Sequence, residues 1–140
     1  MQSAQIFNRL QQAINNHDID AFTACFSDRY RSEQPAHPNR FFTGKEQVRK
    51  NWTANFQEMP DFHAEVINHT ITDDQVWIEW EWKGTRNDKS VLHMAGICLF
   101  GISENVISWG RLYMEPVDVA GGNIESAIKE VMGGKADKKE

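Results

Sequence analysis

The spacing of apolar residues over the first 60 positions predicts three helices. Ser3 is the expected N-cap of the first, and Asp18 that of the second, which runs over 19–26. The third follows the sequence TGKE, which has the form of a capping box over Thr43–Glu46, and ends at Pro60. The apolar positions of these helices are Ile6, Leu10, Ala13, Ile14, Phe22, Cys25, Phe26, Val48, Trp52 and Phe56.

The pattern changes in the second half of the chain, where branched and aromatic residues predict long strands. A short first strand and a proline-containing loop are expected earlier, within 29–42. The bounds predicted for the long strands are 62–72, 75–85, 90–102 and 106–117. Their connections are so short that they indicate antiparallel hairpins. A short amphipathic helix over 123–132 follows.

This order of elements predicts an α+β fold with helices on one face of a long curved sheet. We expect one domain over 1–132 and a flexible tail over 133–140. The sheet consists of a short first strand and a four-stranded antiparallel meander.

The turns decide which side chains share a face of this sheet. A two-residue turn at Asn87-Asp88 would place Trp82 opposite His93 and Trp80 opposite Ala95. The sequence does not determine the length of the turn before the last strand. Three residues in that turn would put Arg111 on the Trp80 face, and two would put it on the other.

Both faces of the third long strand are apolar, whereas helices can cover only one face of the sheet. Leu92, Met94, Cys98 and Phe100 lie on one side, and the other side is also largely apolar. Self-association through the sheet, as a homodimer, would cover the second face.

Composition narrows the class of protein. The chain has 140 residues, of which 40% are hydrophobic and 25% charged, with five Trp and eight Phe. So many aromatic residues indicate a thick core or a lined cavity. The net charge is −5 and no basic stripe is present, so no nucleic-acid partner is expected.

Targeting and cysteine patterns favour a cytoplasmic protein. The N-terminus has no apolar signal-peptide segment, and no apolar run approaches the roughly 20 residues of a membrane span. Cys25 and Cys98 lie among apolar neighbours, so we expect buried free thiols.

Arg111 and Tyr113 are the first candidates for chemistry, because they interrupt an apolar strand. A buried arginine needs an acidic partner, for which Glu79 and Glu115 are the candidates, or an anionic group of a substrate such as a carboxylate or enolate. Tyr113 would donate a hydrogen bond to a carbonyl group. The structural alternatives are an ion pair or an outward-facing arginine, and a packed tyrosine.

Glu79, His93 and His37 are the remaining polar candidates. Glu79 would act as a base if apolar surroundings raised its pKa, and His93 would move a proton. A solvated carboxylate and a hydrogen-bonded core histidine are the structural alternatives. His37 lies in a loop, where it contacts either ligand or water.

Five aromatic residues are candidate ligand contacts, although such stripes are more often core. They are Trp52, Phe56, Trp80, Trp82 and Trp109. We predict neither a metal nor a cofactor. His63 and His69 are on the order of 20 Å apart along one strand, and no phosphate-binding glycine loop or nucleophile motif is present.

The order and spacing of several segments resemble the SnoaL-like branch of the nuclear transport factor 2-like superfamily. The segments are NNHDIDAFTACFSD, FFTGKEQVRKNW, MPDFHAEV, WIEWEWKGT and ISWGRLYMEP. The resemblance covers about 1–117 and implies a cone-shaped fold, in which a bent sheet wraps around helices and encloses a deep, mostly apolar pocket. Members include polyketide cyclases, ketosteroid isomerases, limonene epoxide hydrolases and non-catalytic binding domains, so the fold alone does not define the activity.

The catalytic residues of these relatives are not matched. The steroid isomerase tyrosine and first aspartate fall at Leu10 and Gln34, and the second aspartate falls near Gly96. The acid of the cyclase pattern falls at Arg111, and the epoxide hydrolase arrangement lacks its paired aspartates.

The resemblance implies a pocket that binds a small, largely apolar molecule. Acid/base chemistry of the isomerase, cyclase or hydratase type would use Arg111 and Tyr113 to stabilise negative charge, and His93 or Glu79 to move the proton. The alternative is a non-catalytic binding or dimeric assembly module of the same fold.

Overall fold

The structure, a computed structural model, describes residues 2–133. The helices are α1 (Gln2–Asn16), α2 (Ile19–Ala24), α3 (Lys45–Glu58) and α4 (Ile124–Val131), with a short 3-10 turn at Pro38–Arg40. The strands are β1 (Phe26–Glu33), β2 (Phe42–Thr43), β3 (His63–Ile71), β4 (Gln75–Thr85), β5 (Val91–Ser103) and β6 (Val106–Pro116).

The six strands form one mixed sheet in the order β2-β1-β6-β5-β4-β3. β1 runs parallel to β6, and every other neighbouring pair is antiparallel. The predicted α+β class and the four-stranded meander are confirmed, and each long strand begins and ends within one residue of its predicted bounds. The two-residue strand β2 was not predicted.

The sheet has an inner face toward the helices and an outer face away from them. Apolar residues of α1 and α2 pack against the inner face because their stripes and the alternate residues of the strands are both apolar. Buried inner-face residues include Val76, Ile78, Trp80, Trp82, Cys98, Phe100 and Met114. The outer face carries Trp77, Glu79, Glu81, Lys83, His93, Ala95, Ile97, Leu99, Trp109, Arg111, Tyr113 and Glu115.

Two of the predicted N-caps are wrong and one is confirmed. Ser3 lies inside α1, where its hydroxyl donates to the Asp73 carbonyl oxygen at 2.8 Å. α3 begins after Gly44 without a side-chain cap, because Thr43 pairs with Arg31 in the sheet. Asp18 caps α2 as predicted, accepting a hydrogen bond from the Ala21 amide at 3.0 Å.

The β4–β5 turn contains three residues instead of the expected two. The Arg86 amide donates to the Ser90 carbonyl oxygen at 2.8 Å, and Lys89 adopts a positive φ of 76°. The extra residue shifts the register, so Trp82 lies opposite Met94. The predicted pairing of Trp82 with His93 is therefore wrong.

The β5–β6 turn has two residues, Glu104 and Asn105, both with positive φ as a type I′ turn requires. A bulge follows it: Gly101 pairs with Trp109 and Ile102 with Ile107, so Ser108 is an extra residue in β6. The bulge reverses which face of the sheet the following side chains of β6 take, and it places Arg111 on the outer face.

Cys25 and Cys98 are both buried and unpaired, as predicted. No helix within residues 2–133 is long and apolar enough to span a bilayer. Of the predicted tail, 134–140 lies outside the described residues.

Candidate functional site

A cavity of about 180 Å³ lies between the inner face of the sheet and the helices. It is the natural candidate site, because small-molecule sites are concave, mostly apolar spaces with a few polar groups. Its lining residues are Leu10, Ile14, Phe22, Phe26, Tyr30, Ser32, Gln34, Phe42, Val48, Asn51, Trp52, Asn55, Trp80, Trp82, Cys98, Phe100 and Leu112.

Three tryptophans form one wall of the cavity. Trp52 meets Trp82 nearly edge to face, with ring centroids 5.3 Å apart and an interplanar angle of 83°. Trp80 and Trp82 are 5.5 Å apart at 63°. Phe22 extends the cluster, 5.0 Å from Trp52. Such tilted contacts fix the rings relative to one another, so the wall has a defined shape.

Four polar side chains form a strip between β1 and α3. Ser32 lies on the inner face of β1 and Gln34 follows just past the end of the strand, while Asn51 and Asn55 lie one helical turn apart on α3. All four side chains are neutral. The strip therefore provides hydrogen bonding without charge.

Only Tyr30 and Cys98 among the lining residues are ionisable, within the part of the chain that the structure describes. Burial raises the pKa of the Tyr30 hydroxyl well above its usual value, against a smaller opposing effect of its hydrogen bond with Ser32. Burial raises the pKa of the Cys98 thiol to about 12, opposed by the neighbouring Trp80 indole. Both groups are therefore neutral at physiological pH, and the cavity carries no formal charge.

The indole nitrogens of Trp80 and Trp82 are buried without a hydrogen-bond partner. Trp80 has the Cys98 thiol beside it as a weak acceptor. For Trp82 the surrounding groups are aromatic rings, whose faces accept weakly from N–H groups. These two indoles make the wall more polar than its hydrophobic composition suggests.

Three of the six residues predicted to bind ligand line this cavity, and three do not. Trp52, Trp80 and Trp82 line it. Phe56 packs behind Trp52, with centroids 5.8 Å apart, and stacks on His17. The other two, Trp109 and His37, lie elsewhere: Trp109 is on the outer face, and the His37 ring lies 2.9 Å from a Glu115 carboxylate oxygen.

The residues predicted to be catalytic lie on the outer face, away from the cavity. They are Arg111, Tyr113, His93 and Glu79. The His93 ring is 3.2 Å from a Glu81 carboxylate oxygen, and Tyr113 is 43% exposed. The sheet lies between these side chains and the cavity. The predicted catalytic residues therefore do not meet the tryptophans that line the cavity.

Arg111 pairs with a residue that sequence reasoning did not consider. Its Nε donates to Glu33 Oε1 at 3.2 Å, and its guanidinium lies 5.0 Å from the centre of the Trp109 ring. The prediction that Glu79 or Glu115 pairs with Arg111 is wrong, because β1 runs beside β6 and places Glu33 in register with Arg111. The hydrogen bonds from Arg111 and then Arg31 hold the pKa of Glu33 below its usual value.

The backbone at Gly96 leaves no room for a side chain. Its φ is +156°, and a Cβ there would lie 2.0 Å from the Tyr113 carbonyl oxygen. Gly96 itself therefore cannot be replaced by an acidic residue in this backbone. No group of three or more His, Cys, Asp or Glu side chains within residues 2–133 is placed to hold a metal ion.

Sequence reasoning missed most of the polar lining. Tyr30, Ser32 and Gln34 follow the two-residue period of a strand, and Asn51 and Asn55 flank Trp52 at helical spacing. That alternation was visible in the sequence. Its assignment to the inner face depends on the position of β1 beside β6, which the sequence does not show.

The profile of the SnoaL-like domain family matches residues 7–108. The match covers most of the chain and the fold agrees with it, so this chain belongs to the SnoaL-like domain family. None of the curated protein sequences matches the chain.

Solved structures share the fold at low sequence identity. A Jannaschia sp. CCS1 protein described as a candidate SnoaL-like polyketide cyclase is 16% identical with a TM-score of 0.68, over 91% of this chain and 90% of that chain. A Mycobacterium tuberculosis protein in complex with estradiol-17beta-hemisuccinate is 12% identical with a TM-score of 0.69, over 80% and 92%. A Catenulispora acidiphila protein with a ketosteroid isomerase-like fold, in complex with trimethylamine, is 15% identical with a TM-score of 0.66, over 78% and 84%.

Proposed function

We propose that this protein binds a small, neutral, largely apolar molecule in the cavity between α3 and the inner face of the sheet. The observation that carries the proposal is the combination of a cavity volume of about 180 Å³ with a lining that has no charged side chain in the described residues. Burying an unpaired charge there would cost several kcal/mol, whereas apolar surface gains on transfer. The complexes of two structural neighbours with small molecules support a binding role.

Binding is favoured over acid/base catalysis by the location of the ionisable groups. General acid/base chemistry needs a proton-transferring side chain within hydrogen-bond reach of the ligand. Arg111, Tyr113, His93 and Glu79 lie across the sheet from the cavity, and the lining offers only the neutral Tyr30 and Cys98. A non-catalytic SnoaL-like binding protein is therefore the function that the geometry supports best.

A thermal-shift screen with small ketones, epoxides and lactones tests the binding function. The Asn55→Phe variant fills the cavity from α3, and Gln57→Phe adds the same ring at an exposed position of the same helix as its control. We expect compounds that stabilise the parent protein to lose this effect in Asn55→Phe and to keep it in Gln57→Phe. No stabilisation by any compound, or an equal loss in both variants, would contradict the proposal.

The same compounds test the catalytic alternative. We expect them to be recovered unchanged after incubation with the protein. Turnover that disappears in Arg111→Ala or His93→Ala would establish the catalytic alternative.

We also propose that a second copy of the chain covers the outer face. Trp77, Ile97 and Tyr113 are 45%, 38% and 43% exposed on that face, which is a large apolar surface for a single chain. Glu79 and Glu81 of β4 and Arg111 of β6 lie on either side of β5 on this face, so a two-fold arrangement can bring opposite charges together. Sedimentation velocity at micromolar concentration tests this, and a clean monomer would rule it out.

A further inference from the structure

Gln34 stands at the end of β1, between the cavity and a surface groove that includes Arg31, Glu33 and Phe41. Its Oε1 accepts a hydrogen bond from Arg40 Nη1 at 3.0 Å. An arginine side chain can only donate, so this contact determines which way the amide points. The oxygen accepts from Arg40, and the NH2 group has no hydrogen-bond partner among the described residues, so it can donate to a molecule in the cavity.

The backbone of Arg40 is held in place by hydrogen bonds within its own loop. The Arg40 amide donates to the His37 carbonyl oxygen at 2.9 Å, and the His37 amide donates to the Gln34 carbonyl oxygen at 2.7 Å. The His37 ring contacts Glu115 of β6 at 2.9 Å, which ties the loop to the sheet. Since these bonds exist before any ligand binds, the Gln34 amide is oriented in advance.

A second amide of the strip has the same arrangement. The Asn51 side-chain oxygen accepts a hydrogen bond from Gln47 Nε2 at 2.8 Å, which leaves its NH2 group unused by this contact. Tyr30 and Ser32 add hydroxyl groups to the lining. The strip therefore offers the NH2 groups of Gln34 and Asn51 as hydrogen-bond donors, close to the tryptophans of the cavity.

We propose that the Gln34 amide, oriented by Arg40, selects ligands that carry a neutral acceptor oxygen on an apolar body: a ketone, lactone, ester or epoxide. This inference rests on the proposed binding function of the cavity. A carboxylate is disfavoured, because no cationic side chain within the described residues lines the cavity.

Matched probes on one bicyclic skeleton test the proposal by calorimetry: tetralin, 1-tetralone, 1-tetralol and tetralin-1-carboxylate. The quantity of interest is the ratio of ketone to hydrocarbon affinity in the parent protein and in Gln34→Leu, because the hydration of each probe cancels in that comparison. We expect Gln34→Leu to lower this ratio about three- to tenfold while tetralin binding is retained. The carboxylate should bind most weakly.

Arg40→Met provides a second variant that leaves Gln34 in place. Without Arg40 the amide can rotate and present its oxygen, so 1-tetralol should gain affinity relative to 1-tetralone. A purely structural role of Arg40 would instead lower the affinity of all probes together. This variant also serves if Gln34→Leu does not fold.

The outcomes separate the two proposals. If no probe binds the parent protein, the cavity-binding function fails and this inference fails with it. If tetralin binds but Gln34→Leu leaves the ketone-to-hydrocarbon ratio unchanged, the selectivity inference is overturned and the binding function stands.

Discussion

The two faces of β4 differ sharply in burial and charge. On the inner face Ile78, Trp80 and Trp82 are 1%, 2% and 8% exposed. On the outer face the neighbouring residues are charged or exposed, and they include Glu79 and Glu81. One strand therefore supplies both the wall of a charge-free cavity and a charged, partly apolar surface.

This difference separates two kinds of recognition. The inner face selects by shape and neutral hydrogen bonds, because a charge there has no partner. The outer face has ion pairs such as Arg111–Glu33 beside exposed aromatic rings, which is typical of a surface for protein association. The titratable groups that suggest catalysis in the sequence belong to the second surface.

Truncating one tryptophan on each face measures this difference in stability. We expect Trp80→Ala to lower the free energy of unfolding by about 3–5 kcal/mol, since it leaves a void in the core. Trp77→Ala removes a 45% exposed ring and should cost far less. Guanidinium denaturation of both variants, at a concentration where the protein is monomeric, provides the comparison. Equal losses would contradict the assignment of the faces.

Thiol reactivity tests the closure of the inner side. Burial raises the pKa of Cys98 to about 12 and that of Cys25 to about 11, so few thiolates form in the folded protein. At pH 8 we expect both thiols to react at least about a hundredfold more slowly in the folded chain than in the unfolded chain. A colorimetric disulfide reagent measures the rates, and rapid labelling of native Cys98 would show that the cavity is open.

A charge placed at the centre of the outer face tests self-association. We expect Ile97→Asp to weaken the dimer by at least about tenfold, because an unpaired carboxylate would be buried in the interface. Lys83→Asp, at an exposed position of the same face, is the control and should have a smaller effect. Sedimentation equilibrium gives the dissociation constants, and equal effects of the two substitutions would place the interface elsewhere.

Arg111→Ala should have the smallest effect on the free energy of unfolding, since the ion pair between Arg111 and Glu33 is exposed. The folded-state pKa of Glu33 is lowered mainly by the Arg111 hydrogen bond, and next by that from Arg31. That contribution to stability is present above the ordinary glutamate pKa and is lost as pH falls through the lowered value. In Arg111→Ala we expect the pKa of Glu33 to rise toward its ordinary value, measured by carboxyl NMR.

The same variant should bind cavity ligands as the parent protein does. Tenfold weaker binding in Arg111→Ala would show that the outer face contributes to the site after all.

Much of the fold can be predicted from the sequence because its signals are local. The meander follows from alternating apolar residues and short polar turns, and Asp18 begins α2 because its carboxylate accepts a backbone amide. The family was recognised from the order of segments spread over most of the chain, and the match over residues 7–108 confirms it.

The site was harder to predict because it depends on register. One additional turn residue before Ser90 and one additional strand residue, Ser108, each reverse which face the following side chains take. Nothing in the local composition around Ser108 distinguishes a bulge from a regular strand. The sequence alone is therefore consistent with Arg111 on either face. The pairing of Glu33 with it is a contact over 78 positions that no local pattern contains.

The indole N–H resonances of the five tryptophans test the central claim most directly. Trp52, Trp80 and Trp82 line the cavity, whereas Trp77 and Trp109 lie on the outer face. We predict that titration with 1-tetralone, followed by nitrogen-15 correlation spectra, shifts the resonances of the three cavity tryptophans and leaves the other two unchanged. Shifts confined to Trp77 and Trp109 would contradict a binding site on the inner face.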